Sequence, residues 1–359
     1  MVIKTRVLVI GAGVSGLTTA WQLANAGFQP IIVADKPFED TVSFVAGALW
    51  EWPPAVCGFH TDIDSLSRAK HWSQRSYERF KELSQAPQTG VAMLPSYFYF
   101  AYPVADSEFD RQKMQEIRGC VDGFDHDPAW ISRNGINPDL ELQDCYRFMA
   151  PVIHPEKYLT WIRNQLKDQS VPFETRSISG PLREQVELRE RYDAEFVINC
   201  TGLGSHQITD DRLYPLRGAL VRMQAKTRNS QLNAAHCITN DETKQQNMIY
   251  VLPRGKHLLL GGIAQPDQWE TSLCLENSRD VRSILERCQH FMPSLKDLQI
   301  CNETPVLVGL RPARKKNVRL EWESEQPIIH NYGHGGSGFS FSWGCAEAIV
   351  RLLQERIGT

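Results

Sequence analysis

The sequence predicts an α/β chain in which a parallel-sheet domain is interrupted by an antiparallel one, and three observations predict it. Apolar runs alternate with amphipathic helical stretches in the first fifty residues and again in the last fifty or so, as a doubly wound sheet requires. A glycine-rich turn joins the first strand to the first helix. Between residues 93 and 148, and again between 216 and 262, the alternation gives way to shorter strand-like runs punctuated by Pro and Gly.

Val7 to Ile10 reads as a buried parallel strand. Gly11 turns the chain, Gly13 lets backbone approach an anion, and Gly16 lets the next helix lie against the sheet. That helix opens at Val14 and Ser15 and carries Val14, Leu17, Ala20, Trp21 and Ala24 on its apolar face. Pro30 to Ala34 is the second strand and ends at Asp35, nineteen residues beyond Gly16, where a ribose-binding carboxylate belongs. Free N–H groups at the helix N-terminus face a pyrophosphate in such a unit. Strand, glycines, helix and carboxylate together predict a Rossmann-type nucleotide-cofactor site, against the alternative of an ordinary α/β turn.

Trp50, Trp52, Pro53 and Pro54 then break the rhythm. Leu66, Ala69, Trp72, Ser76, Phe80 and Leu83 share one helical stripe, so Ser65 to Gln85 reads as a packed helix. Met93 to Phe148 reads as short strands and loops of an inserted second domain. Tyr158, Leu159, Ile162 and Leu166 mark a helix over Pro155 to Gln169, with Pro in its first turn. Phe196 to Cys200 is an apolar strand whose carboxyl end, Thr201 and Gly202, should face the cofactor crevice. Leu216 to Met223, Ile249 to Pro253 and Lys256 to Gly262 read as antiparallel strands, the last two joined through Arg254 and Gly255. Val281, Ile284, Leu285, Cys288 and Met292 restore a helical period. Ile328 to Tyr332 then runs through a second glycine loop into a helix with Ala346, Ile349, Val350 and Leu353 on its buried face.

Composition narrows the function classes. The chain has 359 residues, room for two cores, and a net charge of −3, too small a field to gather nucleic acid or anionic lipid. Arg311, Arg314, Lys315, Lys316 and Arg319 lie beside Glu321, Glu323 and Glu325 without aromatic platforms, so the run as a whole reads as a solvated surface turn. Nine scattered cysteines without a CxxC pair predict neither a zinc site nor a dithiol, and suit buried thiols in a reducing compartment. No apolar run reaches membrane-spanning length. Gln22, Asn25 and the glycines interrupt the early apolar stretch, which excludes a secretory signal there. The expectation is a cytoplasmic protein with no nucleic-acid or membrane partner; nothing in the sequence sets the number of copies in a homo-oligomer.

The ordered set GAGVSG, NCTG, GLRPAR and IIHNYGHGGSGFSFSWGCA closely resembles the D-amino-acid oxidase family, a group of FAD-dependent enzymes. The likeness runs from Val7 to Leu353, with Phe59 to Arg147 only loosely matched. It implies an FAD domain assembled from three pieces, residues 1–49, 150–212 and 306–359, interleaved with an antiparallel substrate domain of residues 50–149 and 213–305. It also implies that Gly11, Gly13, Val14, Ser15 and Gly16 take the pyrophosphate of FAD, and Asp35 and Lys36 the adenosine side. Ser43, Gly47, Ala48 and Leu49 would lie between ribityl chain and ring, Ile178 and Thr201 would touch the cofactor elsewhere, and Gly335, Gly336, Ser337, Gly338, Phe339 and Ser340 would follow the flavin.

The same resemblance makes Arg311 the group that grips a substrate carboxylate, which a planar guanidinium can do with two parallel bonds. Tyr250 would add its hydroxyl, and the Gly336 carbonyl would accept from the substrate amine. Three positions depart from the family pattern. Glu51 stands where members often carry glutamine, Gln246 where a lid tyrosine usually lies, and Ala264 where acid-specific members place a second arginine. An added carboxylate and a missing arginine both disfavour acidic side chains.

These residues lead to the expectation of oxidative deamination of an amino acid of D configuration, neutral or basic rather than acidic. Hydride passes from Cα to flavin N5, the imino acid hydrolyses to an oxo acid and ammonia, and molecular oxygen is reduced to hydrogen peroxide. Positioning supplies the catalysis, so no residue is assigned as a general acid or base. His334 and His330 are read as structural. A glycine or sarcosine oxidase, an amino-acid dehydrogenase with another electron acceptor, and an inactive flavin-containing sensor remain the alternatives.

Overall fold

The computed structural model describes residues 5–55, 60–225, 230–238 and 248–358. The chain divides into two compact units, one formed by Met1–Val91, Pro155–Leu216 and Arg311–Thr359, the other by Ala92–His154 and Arg217–Leu310.

Among the described residues the first unit holds a six-stranded sheet in the order Arg319–Trp322, Ile328–Tyr332, Phe196–Asn199, Arg6–Ile10, Gln29–Ala34 and Phe173–Thr175. Its first two strands are antiparallel and the other neighbours parallel. Leu8, Val9 and Ile10 are buried, as are all residues of Phe196–Asn199 and Ile328–Tyr332. Burial on both faces explains why these strands read as unbroken apolar runs. The helices Val14–Asn25 and Gly338–Ile357 pack together, with the Trp21 and Trp343 rings edge to face at 5.2 Å. On the other side, Leu8, Val33 and Val197 join Leu188, Ile208 and Ile328 in one apolar cluster.

The expected boundary at residue 50 does not coincide with these units, for the first continues to Val91. The helix Ile63–Leu83 packs on Gly338–Ile357, burying Trp72, Tyr77 and Phe80. A Cβ on Gly344 would stand 2.3 Å from the Trp72 Cα, so only glycine allows so close a crossing. The later boundaries shift by a few residues because long strands, Asp144–Ile153, Leu213–Gln224 and Val306–Arg314, span them.

The second unit is organised on a sheet in the order Gln265–Pro266, Leu213–Gln224, His257–Gly261, Ile249–Arg254, Ala235–Ile238, Val91–Phe100, Asp144–Ile153 and Asp125–His126, with Val306–Arg314 also paired to Leu213–Gln224. Val221, Val251, Leu258 and Leu260 form its core with Val281, Ile284 and Cys288 of the helix Arg279–Phe291. Residues 93–148 are more regular than short strands and loops. They include most of the ten-residue strand Val91–Phe100, the first half of Asp144–Ile153 and the eleven-residue helix Glu108–Arg118, whose first turn is capped by Ser107 accepting from the Asp110 amide. No helix among the described residues is long and apolar enough to cross a membrane.

Candidate cofactor and substrate site

The glycine turn is shaped by close backbone approach. Gly11 has φ +114°, and a Cβ there would stand 2.4 Å from the Cys200 carbonyl oxygen; a Cβ on Gly16 would stand 2.0 Å from the Gly11 oxygen. Gly13 differs, since a Cβ on it would meet only the Ser43 hydroxyl, at 3.1 Å. No backbone crowds it. The helix behind it has no side-chain cap from Gly13 and no acidic residue in its first turn. Its first amide, on Val14, donates to Ser43 Oγ at 3.0 Å. The end of a helix carries partial positive charge, so this surface favours an anion. Asp35 follows the Gln29–Ala34 strand and is exposed, and Ile178 is half-buried against the apolar cluster under the sheet.

The second glycine loop meets the first. A Cβ on Gly338 would lie 3.7 Å from Val14 Cγ1, so the helices beginning at Val14 and Gly338 present adjoining N-termini. The latter also lacks a side-chain cap and has no acidic residue in its first turn. Ser337 is buried, and its hydroxyl finds no hydrogen-bond partner among the described residues. A buried unsatisfied hydroxyl where two helix N-termini adjoin fits a polar ligand that bonds there.

His334 holds this loop. Its carbonyl accepts from the Ser337 amide at 2.9 Å, and its Nε2 contacts Asn331 Oδ1 at 3.1 Å. Because that oxygen only accepts, Nε2 carries the proton. Burial pushes the His334 pKa down to about 4, so the ring is neutral near pH 7. Asn331 in turn donates toward Thr19 Oγ1 and Cys200 Sγ. Its role is to brace the loop.

Pro312, next to Arg311, lies between the second glycine loop and the turn after the Phe196–Asn199 strand: its carbonyl accepts from the Gly335 amide at 3.0 Å, and its ring would touch a Cβ on Gly202 at 3.8 Å. Arg311 itself is half-buried on the Val306–Arg314 strand. The basic run around it is no uniform surface turn. Arg314 pairs with Asp211 at 2.5 Å and Arg319 with Glu321 and Glu323 at 2.9 and 3.2 Å; only Lys315 and Lys316 are exposed. The antiparallel Arg319–Trp322 strand draws the second half of the run into the sheet.

Glu51 is fixed through its backbone, whose amide donates to Ser340 Oγ at 3.2 Å while its carbonyl accepts from Ser73 Oγ at the same distance. Ala48, among the residues expected at the ring, has φ +51°, uncommon for a side chain with Cβ. In the second unit Tyr250 is half-buried and lies opposite Gly261 in the hairpin, and Ala264 is buried. Gln246 lies outside the described residues. Sequence reasoning read His330 only as structural and did not connect it with Asn199, Thr201 and Glu323, to which a chain of polar contacts joins it; a polar residue inside an otherwise apolar strand run was the available signal.

The family model described as FAD dependent oxidoreductase matches residues 6–352. The chain belongs to that family. It is 30% identical to the D-amino-acid oxidase of Rubrobacter xylanophilus, over 98% of this chain and 96% of the relative, and 32% identical to that of Streptomyces coelicolor, over 96% of each. The glycine oxidase of Bacillus cereus shares its fold, with a TM-score of 0.75, 17% identity and coverage of 98% of this chain and 96% of that one. The cofactor of this FAD-dependent oxidoreductase is thus FAD, and the adjoining helix N-termini and the Ser337 hydroxyl fit it.

Proposed function

We propose that this oxidoreductase deaminates amino acids of D configuration, with neutral or basic side chains preferred to acidic ones. When bound, FAD accepts the hydride leaving Cα and passes the electrons on to oxygen, giving hydrogen peroxide. Gly11, Gly13, Val14, Ser15 and Gly16 hold its pyrophosphate, Asp35 and Lys36 its adenosine side, and Ile178, Thr201 and the Gly335 to Ser340 loop the remainder. Ser43, Gly47, Ala48 and Leu49 line the stretch between.

Arg311 grips the substrate carboxylate, Tyr250 adds a hydroxyl, and the Gly336 carbonyl accepts from the neutral amine. The observation that carries this assignment is the bond from the Gly335 amide to Pro312, which fastens the residue after Arg311 to the residue before Gly336. A carboxylate and an amine on one carbon need two such anchors a short distance apart. Glu51, held through its own backbone, bears on the side chain. The D-amino-acid oxidase names of the two relatives support the substrate class above the glycine oxidase, whose identity to this chain is lower. The eight described cysteines are all free thiols, which suits the cytoplasmic setting we infer.

An anaerobic screen of D- and L-amino acids, glycine and sarcosine, followed by flavin bleaching, tests the substrate class. Bleaching by D-amino acids with peroxide formed under air is the expected result. Bleaching by glycine or L-amino acids alone would replace the assignment, and loss of bleaching with every compound would leave a flavin-containing sensor.

A further inference from the structure

Asn199 ends the Phe196–Asn199 strand, is fully buried, and stands between Ile10 and His330 across three parallel strands. A buried amide must find partners for both its ends. Its Oδ1 accepts from the Thr201 amide at 3.2 Å and the Thr201 hydroxyl at 2.8 Å. A backbone N–H only donates, so this contact fixes which end of the amide is oxygen. Nδ2 therefore points at His330 Nδ1, 3.3 Å away, and that nitrogen must accept. The His330 proton then sits on Nε2 and is given to Glu323 at 2.5 Å, with Arg319 on the same carboxylate oxygen at 3.2 Å.

Each link has one direction, so the tautomer of His330 and the orientation of Asn199 determine each other. Downstream, the Thr201 hydroxyl spends its proton on Asn199 and so receives one from Ser205 Oγ at 2.8 Å. The turn that follows the strand is thereby held by a side chain behind it. Burial lowers the pKa of His330; the bond to Glu323 opposes this and the Arg319 charge adds to it.

We propose that Asn199, oriented by His330, is a positioning residue for FAD: it sets the Thr201 to Ser205 turn against which the cofactor is held. The assignment of Thr201 to FAD, made above, underlies it. Neither Asn199 nor His330 touches the reacting atoms.

FAD release from the holoprotein, followed by the rise of flavin fluorescence on dilution, tests the proposal, with unfolding followed separately by circular dichroism. Asn199→Ala and His330→Leu should each release FAD about tenfold faster, as loss of one buried hydrogen bond gives. His330→Asn, which returns an acceptor near the Nδ1 position, should restore release toward the original rate. Should Asn199→Ala fail to fold, Asn199→Asp keeps the acceptor for Thr201 but puts a buried carboxylate oxygen in place of the donor to His330, and should also release faster. Asn199→Ala with Thr201→Val should release no faster than the worse single variant, because both act through one turn. Release at the original rate in the Asn199 and His330 variants overturns the proposal, as do fully additive effects, failure of His330→Asn to restore, or release that simply tracks unfolding. If Thr201→Val alone leaves release unchanged, the assignment of Thr201 to FAD fails first.

Discussion

The Gly335 amide donates to the Pro312 carbonyl at 3.0 Å, so the second glycine loop and the strand that carries Arg311 are one hydrogen-bonded piece. The substrate anchor and the cofactor loop proposed above, fastened this way, keep their separation when either is pushed. Such rigidity matters where a reaction depends on holding donor and acceptor within a fraction of an ångström.

Arg311→Ala should cripple amino-acid oxidation and leave FAD bound, because it removes a charge-assisted carboxylate contact and spares the Pro312 carbonyl. The loss in kcat/KM should be on the order of 2 to 5 kcal/mol of transition-state binding. Steady-state kinetics beside a flavin absorbance spectrum checks it; an unchanged kcat/KM removes Arg311 from the site.

The two glycines flanking the helix start should separate stability from cofactor binding. Gly13→Ala meets only the Ser43 hydroxyl, at 3.1 Å, so the apoprotein should melt close to the original temperature while FAD binds more weakly. Gly16→Ala drives a Cβ to 2.0 Å from a backbone oxygen and should lower the melting temperature of the apoprotein itself. Equal melting temperatures for the two apo variants would contradict the geometry.

Glu51→Gln should reduce any preference for basic over neutral D-amino acids, and D-aspartate and D-glutamate should be poor substrates of the unaltered enzyme. A charge at this site is worth about 1 to 4 kcal/mol at contact distance, according to its shielding. Ratios of kcat/KM for D-lysine, D-alanine and D-aspartate measure it, and D-aspartate as best substrate would sink the idea.

Acid should loosen both units. Burial pushes His334 and, in the second unit, His236 down to about 4 from an ordinary 6.5. The unfolded chain therefore binds protons that the folded one refuses, and stability falls as pH drops from 6.5 toward 4. Each histidine contributes up to about 3 kcal/mol across that window. Denaturant unfolding of His334→Gln and His236→Gln between pH 7 and 5 should show a shallower decline than the parent, and an equal slope would refute the assignment.

How much was legible in the sequence follows from what each signal depends on. Gly11 and Gly16 were readable because the close backbone approaches that demand glycine there follow from a strand, turn and helix within a few residues of each other. The helix Ile63–Leu83 was readable from its stripe, yet its membership of the first unit was not, because its partner Gly344 is remote in the chain. The helix Glu108–Arg118 escaped notice because only Ile117 is buried, so no apolar period marks it. His330 read as a packed core residue and is indeed 1% exposed, but its bonds to Asn199 and Glu323 depend on strand register that no local pattern records. The basic run read as a surface turn because composition cannot show that half of it is paired within a sheet.

The contact between Val14 and Gly338 also bears on the order in which the molecule is made. Synthesis proceeds from the N-terminus, and a nascent chain presents the glycine turn before Val14 more than three hundred residues before the loop before Gly338 that packs beside it. If both segments hold the flavin as proposed, its capture waits until the second has been made, and the colour of the holoprotein becomes a record that the two have met.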